Sequence, residues 1–190
     1  MIKVTGKKVE LREINQKDID ELYFWKFEDD KQEAKKWNGP YIPEVKKTKE
    51  EYQEIWKSPN EIMSGLPNTL VISVKDKLIG TVGCYWVDKN TKWLETGIVI
   101  YDTEYWHGGY GSEAYRLWID FLFNVTDLHR LGMSTWSGNT RMIKVASKIG
   151  MKEEARIRDA RIVNGKYFDA IKMGMLRKEW EDLHRLKSLL

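Results

Sequence analysis

The chain has 190 residues, of which 42% are hydrophobic and 32% are charged, so we expect one soluble globular domain with a hydrophobic core of its own. The net charge of +3 is small, and basic and acidic residues are interspersed along the chain, which argues against a nucleic-acid partner. No stretch has the length of a membrane span or the apolar centre of a signal peptide, which indicates a cytoplasmic protein. The single cysteine, Cys84, excludes an internal disulfide, and the three histidines lack ligand-like spacing, so no metal site is expected.

The first part of the chain predicts a strand followed by two helices. Lys8 to Ile14 alternates apolar and charged residues, as a half-buried strand does. Asn15, with Asp18 three residues later, predicts the start of a helix. Thr48 and Glu51 form a capping box, which predicts the start of a second helix.

The rest of the chain alternates strand and helix patterns and ends in a hairpin. Strands are predicted at 70–74, 77–86, 94–101 and 130–136, helices after Gly111 and from Asn139 to Gly150, hairpin strands at 154–163 and 166–175 around Asn164-Gly165, and a C-terminal helix over 179–190. The order β-α-α-β-β-β-α-β-α-β-β predicts an α/β fold with a mixed central sheet and helices on both faces. We expect one domain over 1–190 with its core at about 8–178.

A glycine-bearing stretch joins the strand at 94–101 to the longest predicted helix. It consists of Trp106-His107-Gly108-Gly109-Tyr110-Gly111-Ser112-Glu113-Ala114. Glycines at a strand-to-helix junction leave backbone N–H groups unobstructed, and the helix dipole adds partial positive charge at the same point. The stretch therefore predicts an anion site, such as one for a phosphate group; the competing interpretation is a flexible glycine-rich turn.

Two familiar phosphate motifs do not fit this stretch. A nucleotide P-loop needs Lys-Ser or Lys-Thr after its last glycine, and neither follows Gly111. The spacing from Gly109 to Ala114 matches the relaxed dinucleotide fingerprint, but those glycines lie well past the strand that ends near Ile100, and the next strand, ending at Trp136, is not followed by an acidic residue. A dinucleotide site is therefore not predicted.

The stretch resembles the acyl-CoA-binding loop of the GNAT N-acetyltransferase superfamily, whose pattern is Gln/Arg-x-x-Gly-x-Gly/Ala. It is most similar to the branch that includes the ribosomal-protein N-terminal acetyltransferases, the RimJ/RimL type, where the loop is Trp-Gly-x-Gly-Tyr-x-x-Glu-Ala. His107 stands where that branch usually has glycine. The matching positions, spread over roughly the second half of the chain, are Trp106, Gly109, Tyr110, Glu113, Ala114, Arg130, Asn139, Lys148 to Met151, Glu154, Arg158, Asn164-Gly165, Asp169 and Met175-Leu176.

The resemblance implies a GNAT-like fold in which the strands before and after the central helix splay around the thioester arm of the cofactor. It implies an acetyl-CoA-dependent N-acetyltransferase in which a primary amine attacks directly within a ternary complex, with no metal. The implied cofactor contacts are the backbone of Val99, Ile100 and Tyr101, the loop residues Trp106, His107, Gly108, Gly109, Tyr110, Gly111 and Ser112, and the side chain of Asn139. Asn139 is equally well placed to cap the helix that it begins.

Glu95 is the candidate catalytic residue. An amine is mostly protonated at neutral pH, so a general base must remove a proton before or during attack. The resemblance supports this role, because histone-acetylating members of the superfamily carry their basic carboxylate at the same distance before the loop glycine. The competing interpretation is a polar side chain that is exposed to solvent or paired with a lysine.

The proton donor for the departing thiolate is where the chain departs from the family pattern. Met142 and Ala146 occupy the positions where the family carries serine or tyrosine, and neither side chain can donate a proton. Another group or water must supply the proton, or the thiolate leaves unaided. This departure is the sole support for the alternative function, a non-catalytic module that binds and senses acyl-CoA.

Trp37 and Tyr41 are the candidate acceptor contacts, because they lie in a turn-rich loop that covers the acceptor side in the family. Aromatic ring faces attract both apolar and cationic groups, so a protein N-terminus, a lysine, a polyamine and an antibiotic all stay open as acceptors. The apolar end of the C-terminal helix could pair with a second copy to form a homodimer, or fold back on its own domain. Its leucines are Leu186, Leu189 and Leu190.

Overall fold

The architecture is built on strands drawn from the whole length of the chain. The computed structural model describes residues 2–58 and 61–187. Its strands are β1 (Lys3–Thr5), β2 (Glu10–Arg12), β3 (Glu61–Met63), β4 (Leu66–Pro67), β5 (Thr69–Val74), β6 (Lys77–Asp88), β7 (Trp93–Ile100), β8 (Arg130–Trp136), β9 (Lys152–Val163) and β10 (Lys166–Leu176). Its α-helices are α1 (Gln16–Tyr23), α2 (Lys49–Ile55), α3 (Tyr110–Val125), α4 (Thr140–Ile149) and α5 (Arg177–Lys187).

Eight of these strands form one sheet in the order β1-β2-β5-β6-β7-β8-β10-β9, and β3 pairs with β4 in a small separate hairpin. Of the strand pairs that the structure describes, β7 with β8 is parallel and the others are antiparallel. The parallel pair follows from the crossover through α3, which returns the chain in its original direction. The predicted mixed sheet is confirmed.

Helices cover both faces of the sheet, also as predicted. On one face, α3 places the fully buried Trp118 against the strands, and the indole Nε1 donates to the carbonyl oxygen of Gly83 at 3.1 Å. On the other face, α1 and α2 pack on β5 and β6 through Ile19, Leu22, Tyr52, Val71 and Leu78. Removing these apolar side chains from water supplies the main driving force for assembling the layers.

The local signals for helix ends and turns are confirmed. Asn15 and Thr48 each form a complete capping box at the start of α1 and α2. Gly150 ends α4 with a φ of 105°, a left-handed conformation that glycine adopts without steric cost. Asn164 and Gly165 both have positive φ, as the tight turn between β9 and β10 requires.

The structure differs from the sequence prediction at three places in the first part of the chain. The strand expected over Lys8–Ile14 is short, because the chain turns at Gly6, whose N–H donates to the Val9 carbonyl, and β1 pairs with β2. The first helix, whose start was predicted at Asn15, ends at Tyr23 and continues as a wider π-helical turn over Phe24–Glu28. The β3–β4 hairpin was not predicted, since its strands are too short to show an alternating pattern.

The C-terminal helix starts at Arg177, directly after β10, and Leu189 and Leu190 lie outside the described residues. Leu186 is exposed. No helix in the described part of the chain combines the length and apolar character needed to cross a membrane. Within residues 2–58 and 61–187, no group of three or more His, Cys, Asp or Glu side chains is arranged to hold a metal ion.

Candidate active site

The centre of the sheet opens where β7 and β8 separate. The two strands pair at three positions, the last of which joins Glu95 to Gly132. Beyond this pair β7 continues to Ile100 and β8 to Trp136 without pairing with each other. Backbone N–H and C=O groups on facing strand edges need hydrogen-bond partners, so the resulting wedge suits an extended polar ligand. The expected splay is present.

A groove with a volume of about 410 Å³ occupies this wedge. That is within the usual size range of small-molecule sites, roughly 300–1,000 Å³. Its walls come from both strands, the glycine stretch, α4 and the segment before α2. The lining residues are Ala34, Trp37, Asn38, Thr96, Gly97, Ile98, Val99, Ile100, Tyr105, Trp106, His107, Gly109, Gly111, Ser112, Ser134, Thr135, Asn139, Arg141, Met142, Val145 and Lys148.

One end of the groove lies at the N-terminus of α3, where the geometry favours an anion. Gly109 precedes the helix with a φ of 82°, and no side chain caps the first turn. The first N–H groups of an α-helix have no partner within the helix, and they carry the positive end of its dipole. Gly108 has to be small, because a methyl group there would lie 2.5 Å from the Tyr110 ring. A diphosphate fits this end on both geometry and charge.

The glycine stretch is held in place from the N-terminal part of the chain. Lys8 donates its backbone N–H to Oε1 of Glu113 at 2.7 Å, and its ammonium group donates to the Gly108 carbonyl at 2.7 Å. His107, which replaces the glycine usual in the resembled branch, has a φ of 64°. A histidine in the left-handed region is sterically costly, so the surrounding contacts must maintain this conformation.

Arg141 stacks between two tryptophans at the side of the groove. Its guanidinium carbon lies 4.4 Å from the ring centroids of both Trp37 and Trp106. The Trp37 carbonyl accepts hydrogen bonds from Nε1 of Trp136 at 3.0 Å and from Nδ2 of Asn139 at 3.1 Å. The loop before α2 is therefore fastened to β8 and α4, and one cation links it to the glycine stretch.

Glu95 lies at the apex of the wedge and is almost fully buried, at 2% exposure. Its Oε1 accepts from the Lys172 ammonium at 2.7 Å, and its Oε2 accepts from the hydroxyls of Ser134 at 2.5 Å and Tyr85 at 3.1 Å. Partial burial and the neighbouring Glu95 charge raise the pKa of the Tyr85 phenol to about 12, so it stays protonated at neutral pH. Glu95 is paired with a lysine, and its role as a base stays a prediction.

The space beside Glu95 is open. Gly97 follows Glu95 on the same face of β7 and lines the groove, and a methyl group at Gly97 would meet no heavy atom within 4 Å. Ser134 lines the groove as well, whereas Glu95 does not. Ser134 donates its hydroxyl to Oε2 of Glu95, so the carboxylate is joined to the groove wall by one hydrogen bond.

Most of the residues predicted to contact the cofactor come together around the groove. Those that line it are Val99, Ile100, Trp106, His107, Gly109, Gly111, Ser112 and Asn139. Tyr101 points elsewhere, stacking on Trp25 in a second cavity of about 440 Å³ that meets the groove at Val99. Tyr110 packs edge-on against Tyr105.

The two predicted acceptor contacts are separated by the structure. Trp37 lines the groove beside Arg141. Tyr41 does not line the groove, and its ring centroid lies 4.8 Å from the guanidinium carbon of Arg161. Sequence reasoning missed Ser134 and Arg141. Arg141 follows the predicted Asn139 by two residues in the first turn of α4, which placed it near the site but gave no sign of its tryptophan partners.

Neither residue at the family's proton-donor positions supplies a donor. Met142 lines the groove with a thioether, and Ala146 is fully buried in the core. Two residues of β8 that carry hydroxyl groups, Ser134 and Thr135, also line the groove. The chemistry available at the apex of the wedge is thus a buried carboxylate with a hydroxyl between it and the open space.

Comparison with known proteins places this geometry in a family. The model described as "Acetyltransferase (GNAT) domain" matches residues 8–152. The N-acetyltransferase p20 of Bacillus licheniformis is 28% identical over 120 residues, covering 62% of this chain and 67% of that protein. YdaF of Bacillus subtilis, whose provisional name is ribosomal N-acetyltransferase, is 27% identical over 126 residues, covering 66% of this chain and 67% of that protein.

Solved structures show the same fold. The spermidine N-acetyltransferase of Vibrio cholerae, in complex with CoA and spermine, superposes with a TM-score of 0.74 at 17% identity, covering 93% of this chain and 99% of that one. A GNAT-family acetyltransferase from Bacillus anthracis superposes with a TM-score of 0.72 at 19% identity, covering 93% and 99%. At these identities the similarity extends to the fold alone.

Proposed function

The chain belongs to the GNAT acetyltransferase family, and from that membership we propose that it transfers the acetyl group of acetyl-CoA to a primary amine by direct attack, with both substrates bound at once. The observation that carries the proposal is the wedge between β7 and β8. It leads from the uncapped N-terminus of α3 to Ser134, whose hydroxyl donates to the Glu95 carboxylate. The end of the wedge at α3 thus suits a phosphate-bearing acetyl donor, and the other end carries the proposed proton acceptor.

We propose that the backbone N–H groups from Gly109 to Ser112 hold the diphosphate of acetyl-CoA. The fit rests on the left-handed Gly109 and on the first turn of α3, which no side chain caps. The facing backbone edge at Val99 and Ile100 holds the pantetheine arm, since it lacks a strand partner on the β8 side. Asn139 adds its side chain from the start of α4, where it also accepts the Met142 N–H at 3.2 Å.

The acceptor enters on the face of the sheet that carries Glu95 and Gly97. As in the RimJ/RimL-type enzymes that the chain resembles, we propose a protein N-terminus or a small-molecule amine. Trp37 and Tyr41 are the proposed contacts, because Trp37 lines the groove and Tyr41 belongs to the same turn-rich loop. Spermidine and a short peptide with a free N-terminus are the two probes to use, in view of the names of the Vibrio and Bacillus subtilis proteins.

Two measurements test the proposal. Acetyl-CoA at 100 times its dissociation constant should stabilise the fold by about 2.7 kcal/mol, seen as a rise in the melting temperature. CoA thiol should then be released when spermidine or the peptide is added, with an acetylated product visible by mass spectrometry. Stabilisation without thiol release would support the acyl-CoA-sensing module, and no stabilisation at all would contradict both functions.

Replacement of Glu95 by glutamine tests the proposed base. The amide keeps the shape of the side chain but cannot take up a proton, so turnover should fall by about 10²–10⁴-fold. Stabilisation by acetyl-CoA should be unchanged, because Glu95 does not line the groove. Glu154→Gln is the matched control, since it also removes a carboxylate paired with a cation on the sheet, that of Arg130. Full activity of Glu95→Gln would remove Glu95 from the mechanism.

A further inference from the structure

Ser134 links the buried carboxylate to the open groove. Three described side chains hydrogen-bond to Glu95, and of these Ser134 lines the groove while Lys172 and Tyr85 do not. Its Oγ lies 2.5 Å from Oε2 of Glu95, which is a short distance for a hydrogen bond from a hydroxyl to a carboxylate. This hydrogen bond joins the Glu95 carboxylate to a residue of the groove wall.

We propose that Ser134 and Glu95 work as one proton relay that serves both halves of the reaction. The inference rests on the proposed acetyltransferase function and adds a residue and a proton path to it. The pair first accepts the proton that the acceptor amine loses, and then returns that proton to the departing thiolate.

The relay balances the reaction without a further acid. The acceptor reacts as the neutral amine, after its ammonium proton has been lost to bulk water. As the amine nitrogen bonds to the thioester carbonyl carbon, the C=O electron pair moves to oxygen. The nitrogen gives a proton to Oγ of Ser134, while the hydroxyl proton of Ser134 passes to Oε2 of Glu95. When the carbonyl re-forms, the C–S bond breaks and its electron pair leaves on sulfur. The proton held by Glu95 returns through Ser134 to that sulfur, which leaves the amide, CoA thiol and an ionised Glu95.

The arrangement around Glu95 favours this path over a direct one. The carboxylate is 2% exposed, and both of its oxygens already accept hydrogen bonds. Lys172 holds Oε1, which fixes the side chain so that Oε2 faces Ser134. Ser134 and Gly97 line the groove whereas Glu95 does not, and the space at Gly97 is open.

The relay also accounts for Met142 and Ala146. Neither side chain can donate a proton, although both stand at positions where related enzymes carry a hydroxyl. Because the proton held by Glu95 returns to sulfur through the Ser134 hydroxyl, a separate donor on α4 is unnecessary. The relay thus explains together why α4 carries no proton donor and why β8 carries Ser134.

The test compares Ser134→Ala, Ser134→Thr, Glu95→Gln and the double variant Ser134→Ala/Glu95→Gln with the unmodified chain. Rates are measured by thiol release with spermidine and with the N-terminal peptide, together with KM for acetyl-CoA and the melting temperature. Ser147→Ala is the control, because Ser147 is exposed on α4. Glu95 and Ser134 lie on neighbouring central strands, so the melting temperatures show whether each variant is folded.

We expect Ser134→Ala and Glu95→Gln each to lower kcat by about 10²-fold or more with KM for acetyl-CoA unchanged. The double variant should lose little beyond either single one, because residues that act as a unit are strongly non-additive. Ser134→Thr should recover most of the rate, since it restores a hydroxyl.

Three results would overturn the relay. The first is a wild-type kcat in Ser134→Ala, and the second is a double variant whose loss of kcat is the product of the two single losses, which would mean that the residues act separately. Failure of the proposed function is a different result: the unmodified chain would release no thiol with either probe. The third result is a melting temperature that is lowered equally in Ser134→Ala and Ser134→Thr, together with an equal loss of kcat in both. That result would indicate a structural role for Ser134 and would contradict the relay.

Discussion

Glu95 lies opposite Gly132 at the last pair of β7 and β8. A methyl group at Gly132 would lie 3.3 Å from both the Met173 carbonyl oxygen and Nε1 of Trp93, and at an ordinary contact distance of 3.8 Å from Cγ of Glu95. From this last paired position the Glu95 carboxylate extends across β8 to Ser134 and Lys172. The buried carboxylate thus belongs to the last residue of β7 that pairs with β8.

Gly97→Ala should slow the reaction without destabilising the fold. The added methyl group meets no atom within 4 Å, so the protein accommodates it, but it occupies the space through which the amine approaches Ser134. We expect kcat to fall by about tenfold to a hundredfold, as a displaced substrate would cause. Gly83→Ala, on the cross-strand partner in β6, is the control and should keep the activity. Unchanged kcat in Gly97→Ala would place the acceptor elsewhere.

Gly109→Ala should weaken acetyl-CoA binding. Its φ of 82° is costly for alanine, by about 1–2 kcal/mol, and the shift of the loop would misplace the N–H groups at the start of α3. Gly165→Ala is the control: its φ of 74° in the β9–β10 turn gives a similar backbone cost, and the added methyl group would meet no atom within 4 Å. Urea unfolding should show comparable losses for both variants, and calorimetric titration should show weaker binding for Gly109→Ala alone. Equal binding by both would argue against the loop as the diphosphate site.

Arg141→Ala should raise KM for acetyl-CoA by about tenfold, the effect of removing roughly 1–2 kcal/mol of charge and stacking interactions. Its guanidinium lines the groove and lies between Trp37 and Trp106, so the variant should also change the tryptophan fluorescence. Lys144→Ala removes an exposed cation from the same helix and should leave KM unchanged. The prediction fails if both variants have the KM of the unmodified chain.

Cys84 should make the fold less stable at alkaline pH. Burial raises the pKa of its thiol from 9.0 to about 12, because the thiolate would be desolvated. Between these values the unfolded chain loses the proton while the folded chain keeps it, so the free energy of unfolding decreases as pH rises, by up to about 1.4 kcal/mol per pH unit. Urea titrations from pH 8 upward should show a smaller decrease for Cys84→Ala. An identical pH dependence in both proteins would contradict a buried, neutral thiol.

The sequence alone determined those features that depend on neighbouring residues. The capping boxes at Asn15 and Thr48, the tight turn at Asn164-Gly165 and the glycine stretch before α3 are local, because a few consecutive residues fix the backbone there. The alternation of strands and helices followed from apolar periodicity, and Glu95 was placed on its strand in the same way.

The tertiary structure decided which side chains share the site. Lys8 and Glu113 are 105 residues apart, and Arg141 meets Trp37 only because the loop before α2 folds over α4. The side chain of Tyr101 stacks on Trp25, a contact that the sequence did not indicate, while its predicted backbone contact with the cofactor stays a prediction. Ser134 reaches Glu95 because the register of β7 on β8 brings it there. Register and packing depend on the whole sheet, and no local pattern encodes them.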